Sequence, residues 1–524
     1  MHTIEDTGYE GVPGPLTDRP PWSNDVVRIQ AGGGDDETAP EGDPIEADTD
    51  GPQRAGSGQP DPLLGFAAKA WTPHAYQERG VTWLASRTAG ALFLPPGMGK
   101  SSISLAAKLF LSRMGFSSRV LLIAPLTVAR TTWLAEPQKW LQFQGLKVGL
   151  AHGPDRALVL HDPYWDIVVL NYDGLAWAAP ILARGHKFDI LLCDEITKLK
   201  HTTSKRYKTL KPLLPTFKFR WGLTGTPVAN GLLDLFGQMY VLDLGARLGK
   251  FITHYRMKYF FQNSWDQYHY QITREKSQEL IEKIADIAMY IDPLEWLQLP
   301  PLMNVPLEVV LDGEVMKRYK FFEDEFILEM ESGNVTAANA GVLTSKLRQF
   351  TGGAVYSSPG IWDVVHTTKL DRLKELVEEM AGEPLMVSYQ FNHEYERLMK
   401  EFPDALAIKG GMTGKSLATI VETWNQGNTA ILLVQPAAAS LGLNLQFGGS
   451  AICWFTMTYN LEEFIQLIAR LLRQGQTKPV RNYIITGKGT VDEAVAKVMI
   501  KKDAVQNDVF ATLKRLAFRD TEQA

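Results

Sequence analysis

Ten short, largely apolar runs constrain this 524-residue chain more than any other feature. Five of them are Ala91–Leu94, Val120–Ala124, Ile167–Leu170, Ile190–Cys193 and Trp221–Leu223. Five more are Leu385–Tyr389, Ala405–Ile408, Ala430–Val434, Ala451–Phe455 and Tyr483–Ile485. Runs that are continuously apolar, not alternating, suit strands buried on both faces of a parallel sheet. Segments with helical periodicity separate them, including Ser101–Met114, Arg130–Leu141, Lys205–Leu214, Leu370–Met380, Ser416–Trp424 and Leu461–Leu472. The pattern predicts an α/β protein with two parallel-sheet lobes. The middle of the chain, with charged stretches such as Glu314–Glu331, reads as mostly helical. The expected boundaries are a tail over 1–60, a first lobe over 61–250, a helical insert over 251–365 and a second lobe over 366–524.

Charge is distributed unevenly. Residues 1–60 hold 13 Asp/Glu against three Lys/Arg, whereas the whole chain has a formal charge of -5. The remainder is therefore near +5. A uniformly basic nucleic-acid binder is excluded, but a local basic groove is not. The tail is rich in Gly, Pro and Asp and cannot bury enough apolar surface to offset its ordering entropy, so it is expected to be disordered. Its charge also suits a mimic that covers a basic groove.

Two cysteines, Cys193 and Cys453, exclude a disulfide scaffold and a cysteine-rich zinc centre. No apolar run approaches the roughly 18 residues needed to span a bilayer, and Met1–Gly11 lacks the apolar core of a secretory signal. The expectation is a cytoplasmic protein with no membrane partner.

Three places carry chemistry. The string Leu94-Pro95-Pro96-Gly97-Met98-Gly99-Lys100-Ser101 follows a strand and opens a helix. Gly97 and Gly99 let backbone wrap a phosphate, and helix N-terminal amides point at it. Lys100 can neutralise the phosphates, and the Ser101 hydroxyl can ligate Mg²⁺. The full phosphate-loop pattern would place Gly where Leu94 stands.

Second, Asp194 and Glu195 follow the run Ile190–Cys193, and ligand sites of open parallel sheets lie at the carboxyl ends of strands. One acid can hold Mg²⁺ and the other can activate a water. Third, Arg470 and Arg473 are three apart in an apolar, helix-periodic segment. They are expected to share a helix face and clamp a phosphate from across a cleft.

With these three in place, the chain resembles the Swi/Snf-type (Snf2-like) ATPases of helicase superfamily 2 over about residues 70–500. Pro73-His74-Ala75-Tyr76-Gln77 resembles the adenine-reading motif, and Gly97-Met98-Gly99-Lys100-Ser101 resembles motif I. Leu122-Ile123-Ala124-Pro125-Leu126 and Asn171-Tyr172-Asp173 resemble motifs Ia and Ib. Asp194-Glu195-Ile196-Thr197 resembles the Asp-Glu box, with Ile-Thr where Ala-His is usual. Leu223-Thr224-Gly225-Thr226-Pro227-Val228-Ala229-Asn230 resembles motif III, and Ser440-Leu441-Gly442-Leu443-Asn444-Leu445 motif V. Gln466, Arg470, Arg473 and Gly475-Gln476-Thr477-Lys478-Pro479 resemble motif VI, with Ala469 and Leu472 in place of Gly and His.

The resemblance implies two RecA-like lobes with ATP and Mg²⁺ between them. Gln77 would read adenine, while Gly97, Met98, Gly99, Lys100 and Ser101 hold phosphates. Ser101 and Asp194 would serve the metal. Glu195 would be the general base, with Arg470 and Arg473 as arginine fingers. Thr224, Gly225, Thr226, Gly442, Asn444 and Gln466 would couple the lobes. Thr127, Arg130, Tyr172, Lys198, Lys200 and Gln435, with His201 and Asn392, would face the DNA backbone.

The implied function is a DNA-dependent ATPase that translocates on double-stranded DNA. Single-stranded DNA is a further candidate partner. The alternatives are a strand-separating DNA or RNA helicase and a non-hydrolysing clamp. A compact motor of this kind suits a bacterial cell or a bacteriophage and its host cytoplasm.

Overall fold

A computed structural model describes residues 68–522 apart from 117, 264–265, 332–336, 411 and 413; the expected acidic tail lies outside these residues. In the first lobe, strands β1 (Ala89–Phe93), β2 (Val120–Ala124), β4 (Ile167–Asn171), β5 (Ile190–Asp194) and β6 (Phe219–Thr224) coincide with the five apolar runs, and β3 (Val148–Leu150) is added to them. A small antiparallel hairpin, β7 (Phe261–Asn263) and β8 (Asp266–Gln271), precedes β9 (Ala288–Tyr290). The main sheet is wholly parallel, in the order β3-β4-β2-β5-β6-β1-β9.

Successive side chains of a strand point to opposite faces. Ala91, Phe93, Leu121 and Ile123 accordingly enter one core, and Leu92, Leu122 and Ala124 the other. Both faces are covered, which is why these strands read as continuous rather than alternating apolar runs.

The second lobe opens with β10 (Leu302–Val309) and a hairpin of β11 (Ala354–Ser358) and β12 (Ile361–Val364). It continues with β13 (Leu385–Ser388), β14 (Leu406–Ile408), β15 (Ile431–Val434), β16 (Ala451–Trp454) and β17 (Val480–Gly487). Its sheet is also parallel, in the order β10-β17-β16-β13-β15-β14.

The boundary expected at residue 250 is displaced. β9 joins the first sheet beside β1, and β10 is the edge of the second. The first lobe therefore runs on to about Tyr290, and the segment read as an insert is divided between the lobes. β9 has three residues, too few to show a period. β10 is an edge strand with largely exposed side chains, and it tolerates Pro306 for that reason.

The single helix expected over Arg130–Leu141 is also broken. A π-type turn over Ala129–Trp133 gives way to the short helix Glu136–Lys139, where Pro137 cannot extend the backbone ladder.

The C-terminal helix, Val491–Glu522, ties the lobes together. Val495 and Met499 belong to a second-lobe core, whereas Val509, Phe510 and Leu513 belong to a first-lobe core. Phe510 stacks on Tyr290 with ring centroids 4.1 Å apart, and Lys514 pairs with Asp292 at 2.9 Å.

Candidate active site

Strand order brings the chemistry together. β5, β6 and β1 are neighbours, and their carboxyl ends carry Asp194, Thr224 and the loop after Phe93. That loop turns through Gly97 (φ 86°) and Gly99 (φ 74°), left-handed conformations that glycine adopts without a Cβ penalty. A Cβ at Gly99 would also collide with the Gln77 carboxamide. Gly99 caps the helix Lys100–Arg113, so free N-terminal amides face the loop's hollow. Lys100 Nζ donates to Leu94 O at 2.7 Å and Pro95 O at 3.3 Å. Burial pulls its ammonium below the ordinary value, and Glu195 and Asp194 oppose that shift.

Gln77 is buried against the phosphate loop, where its Oε1 accepts from His74 N at 2.9 Å. Beside the loop lies an apolar cavity of about 640 Å³, walled by Pro95, Met98, Ile468, Leu472 and Arg473 among others. Gln77 is not one of its lining residues.

Asp194 is buried at the end of β5. Its Oδ2 accepts from Trp133 Nε1 at 2.7 Å and its Oδ1 from Glu195 N at 3.0 Å. Glu195 sits at φ 51°, a left-handed conformation that costs a residue with a Cβ about 1–2 kcal/mol. Strain of this kind gathers at functional sites. Thr224 Oγ1 donates to Glu195 Oε2 at 3.3 Å and accepts from Thr226 N at 3.1 Å. Gly225 packs on Pro96 and Leu94 of the phosphate loop. Burial, then the nearby Glu462 and Asp194 carboxylates, push the Glu195 carboxyl up to about 7. That is the range in which a general base works at neutral pH.

The second lobe closes over this corner. Gln466, on the helix Leu461–Ile468, donates from Nε2 to Glu195 Oε1 at 3.3 Å. Arg470 and Arg473 are not on that helix, contrary to the sequence expectation. The helix ends at Ile468; Arg470 N then bonds Leu467 O in a tightened turn, and Arg470 O accepts from Leu445 N in the motif V loop.

The turn still delivers both side chains. Arg473 lies over Gly97, where a Cβ would stand 3.7 Å from Arg473 Cβ and 3.9 Å from its Nε. Arg470 is buried, and its Nε has no hydrogen-bond partner among the described residues. Burial and Arg473 lower its guanidinium to about 10, while Glu195 acts in the opposite direction. A buried, unpaired donor beside a phosphate loop calls for an anion. Gly442 (φ 71°) faces Thr132 across the lobe boundary, and Asn444 is exposed.

A polar cleft of about 600 Å³ lies between the lobes and is lined by Lys198, Lys200 and His201. Arg206, Gln390 and Lys502 line it too; they escaped the sequence reading because they come from elements far apart in the chain. Arg348 lines it as well. Lys200 is paired with Asp234 at 3.1 Å, and Lys198 reaches Glu462 of the second lobe at 3.6 Å. Thr127, Arg130, Asn392 and Gln435 are not among the lining residues, although Arg130 and Asn392 are exposed.

Tyr172, expected to face the DNA backbone, is instead buried in the first lobe. It is 4% exposed, and its hydroxyl donates to Asp194 O at 2.8 Å and Glu195 O at 3.2 Å. The ring at the end of β4 is buried with the sheet, and its polar tip finds main-chain acceptors.

Two parallel-sheet lobes that close a phosphate loop, an acidic strand end and two arginines against one another define a two-lobed ATPase. The chain belongs to the SNF2-related family of superfamily 2 and is an ATP-hydrolysing enzyme. The family model of the SNF2-related domain matches residues 76–350, and that of the helicase conserved C-terminal domain matches 368–475.

Protein p41 of Acyrthosiphon pisum secondary endosymbiont phage 1 is 31% identical over 473 residues, covering 85% of this chain and all of p41. The DNA repair and recombination protein RAD54-like of Gallus gallus is 23% identical, covering 75% of this chain and 59% of that protein. An uncharacterized ATP-dependent helicase of Mycoplasma pneumoniae is also 23% identical; the match covers 82% of this chain and 41% of that protein. The chain thus spans p41 in full but only about half the length of the other two. Among solved structures, the Sulfolobus solfataricus SWI2/SNF2 ATPase core in complex with dsDNA is 21% identical, with a TM-score of 0.42, covering 84% of this chain and 95% of that one.

Proposed function

We propose that the chain is a DNA-dependent ATPase that moves along double-stranded DNA by opening and closing its two lobes around ATP. The observation that carries this reading is the convergence on one corner. Glu195 of the first lobe meets Gln466 and Arg470 of the second, while Arg473 overlies the phosphate loop. Chemistry at that corner is complete only when the lobes are closed, so a ligand that favours closure raises turnover.

Gly97, Gly99 and Lys100 hold the phosphates. Glu195 takes the proton of the attacking water, and Arg470 and Arg473 balance charge on the transferred phosphoryl group. Ser101 and Asp194 form an all-oxygen donor pair that suits Mg²⁺, a cation usually completed by water and substrate phosphates. Mg²⁺ there would supply counter-charge to the phosphates. Lys198, His201, Arg206 and Lys502 make the interlobe cleft basic and fit a phosphate backbone without reading bases. The relative named for DNA repair and recombination supports DNA as the partner. The phage relative supports a bacterial cytoplasm, or that of an infected host, as the setting.

The test is ATP turnover with sequence-scrambled duplex DNA, single-stranded DNA and RNA, each titrated to saturation. Duplex should stimulate at least as well as single strands. Stimulation by RNA alone would favour the helicase alternative.

A further inference from the structure

The Asp194–Glu195 corner is held by two aromatic residues that lie outside the phosphate loop and the arginine turn. Trp133 is fully buried, and its indole N–H donates to Asp194 Oδ2 at 2.7 Å. Tyr172 is buried one strand further on, and its hydroxyl reaches the carbonyls of both Asp194 and Glu195. These carbonyls flank the left-handed Glu195. One hydroxyl therefore spans the residue whose backbone is strained, and one indole fixes the carboxylate next to it.

We propose that Trp133 and Tyr172 are positioning residues for ATP hydrolysis: Trp133 aims the Asp194 carboxylate, and Tyr172 holds Glu195 in its left-handed conformation through the main chain. This rests on the reading of Glu195 as the group that activates water. Burial alone does not account for the arrangement. A buried tyrosine or tryptophan needs one acceptor of any kind, and the core offers many main-chain carbonyls. Here both polar tips converge from different elements on two consecutive residues.

Each anchor has a neighbour at the edge of its lobe. The turn bearing Trp133 meets Gly442 through Thr132, and the cleft-lining Arg206 lies 5.9 Å from the centre of the Tyr172 ring.

Tyr172→Phe keeps the ring and removes only the hydroxyl; Trp133→Phe removes the N–H donor. Both are compared with the parent and with Glu195→Gln. The measurements are kcat and KM for ATP, binding of a fluorescent ATP analogue as Mg²⁺ is titrated, and melting temperature. Tyr172→Phe should lower kcat about tenfold, the rate equivalent of one lost hydrogen bond, and leave analogue affinity within about twofold. Trp133→Phe should raise the Mg²⁺ needed for half-maximal analogue binding by about threefold or more, because the Asp194 carboxylate loses its aim.

The proposal is overturned if both variants turn over and bind like the parent while Glu195→Gln is inactive. It is also overturned if kcat and analogue affinity fall together with melting temperature, which would mark a packing role. Parent-like turnover by Glu195→Gln would instead overturn the underlying reading of the site, and this proposal with it.

Discussion

Gln466 Nε2 of the second lobe lies 3.3 Å from Glu195 Oε1 of the first, and the same amide reaches Glu462 Oε1 at 3.3 Å. It stands between two carboxylates that would otherwise repel each other across the lobe boundary. Gln466→Ala should lower kcat about tenfold by removing this tie, with ATP affinity nearly kept. Gln466→Glu should be worse, because it places a third carboxylate there. Steady-state turnover of the two variants checks the order; an equal effect would show that the amide does no bridging.

In the proposed mechanism Lys100 is the main counter-charge of the phosphate loop. Its Nζ is held by Leu94 O and Pro95 O, the carbonyls that lead into the loop. Lys100→Ala should weaken binding of a fluorescent ATP analogue by about tenfold or more, the effect of one charge-assisted contact. The fold should be unaffected, since the side chain fills no core.

The corner was legible in the sequence in part. Asp194 was readable because an apolar run ends on it, and Gly97–Ser101 because glycines punctuate a strand-to-helix turn. Tyr172 was misplaced because a tyrosine after a strand looks the same whether its ring turns to solvent or into the sheet. The helix bearing Gln466 was drawn too long because Leu471 and Leu472 continue its apolar period. Its end is set instead by a long-range bond from Leu445 N to Arg470 O. β9 and β10 were lost in a charged, helical-looking segment because one is three residues long and the other is an exposed edge. Lys502 joins the cleft from near the far end of the chain, a proximity that no local pattern encodes.

With Glu195 as the proposed base, the sign of the pH dependence follows. Its carboxyl is raised to about 7 by burial and by Glu462 and Asp194. A base must be unprotonated to accept the water's proton, so kcat/KM for ATP should rise with pH through about 7 and level off above it. Below that, the rate should fall about tenfold per pH unit. Glu195→Gln should abolish turnover and remove this limb from whatever residual rate remains. A flat profile between about pH 6 and 8 would assign the proton to another group.

Phe510 fastens the C-terminal helix to the first lobe by stacking on Tyr290. Phe510→Ala should cost about 3 kcal/mol, as for other buried aromatic truncations. Denaturant unfolding measures this. ATP turnover should become more sensitive to temperature, because the strap between the lobes is loosened at one end.

The central claim is that lobe closure drives tracking along duplex DNA rather than strand separation. The most direct measurement offers the enzyme and ATP two substrates: a duplex carrying a triplex-forming third strand, and a forked duplex. The account predicts that the third strand is displaced and the fork stays paired. Arg473→Ala should abolish displacement by cutting turnover roughly 10³-fold, while still binding DNA. Efficient ATP-driven opening of the fork, with the third strand left in place, would contradict it.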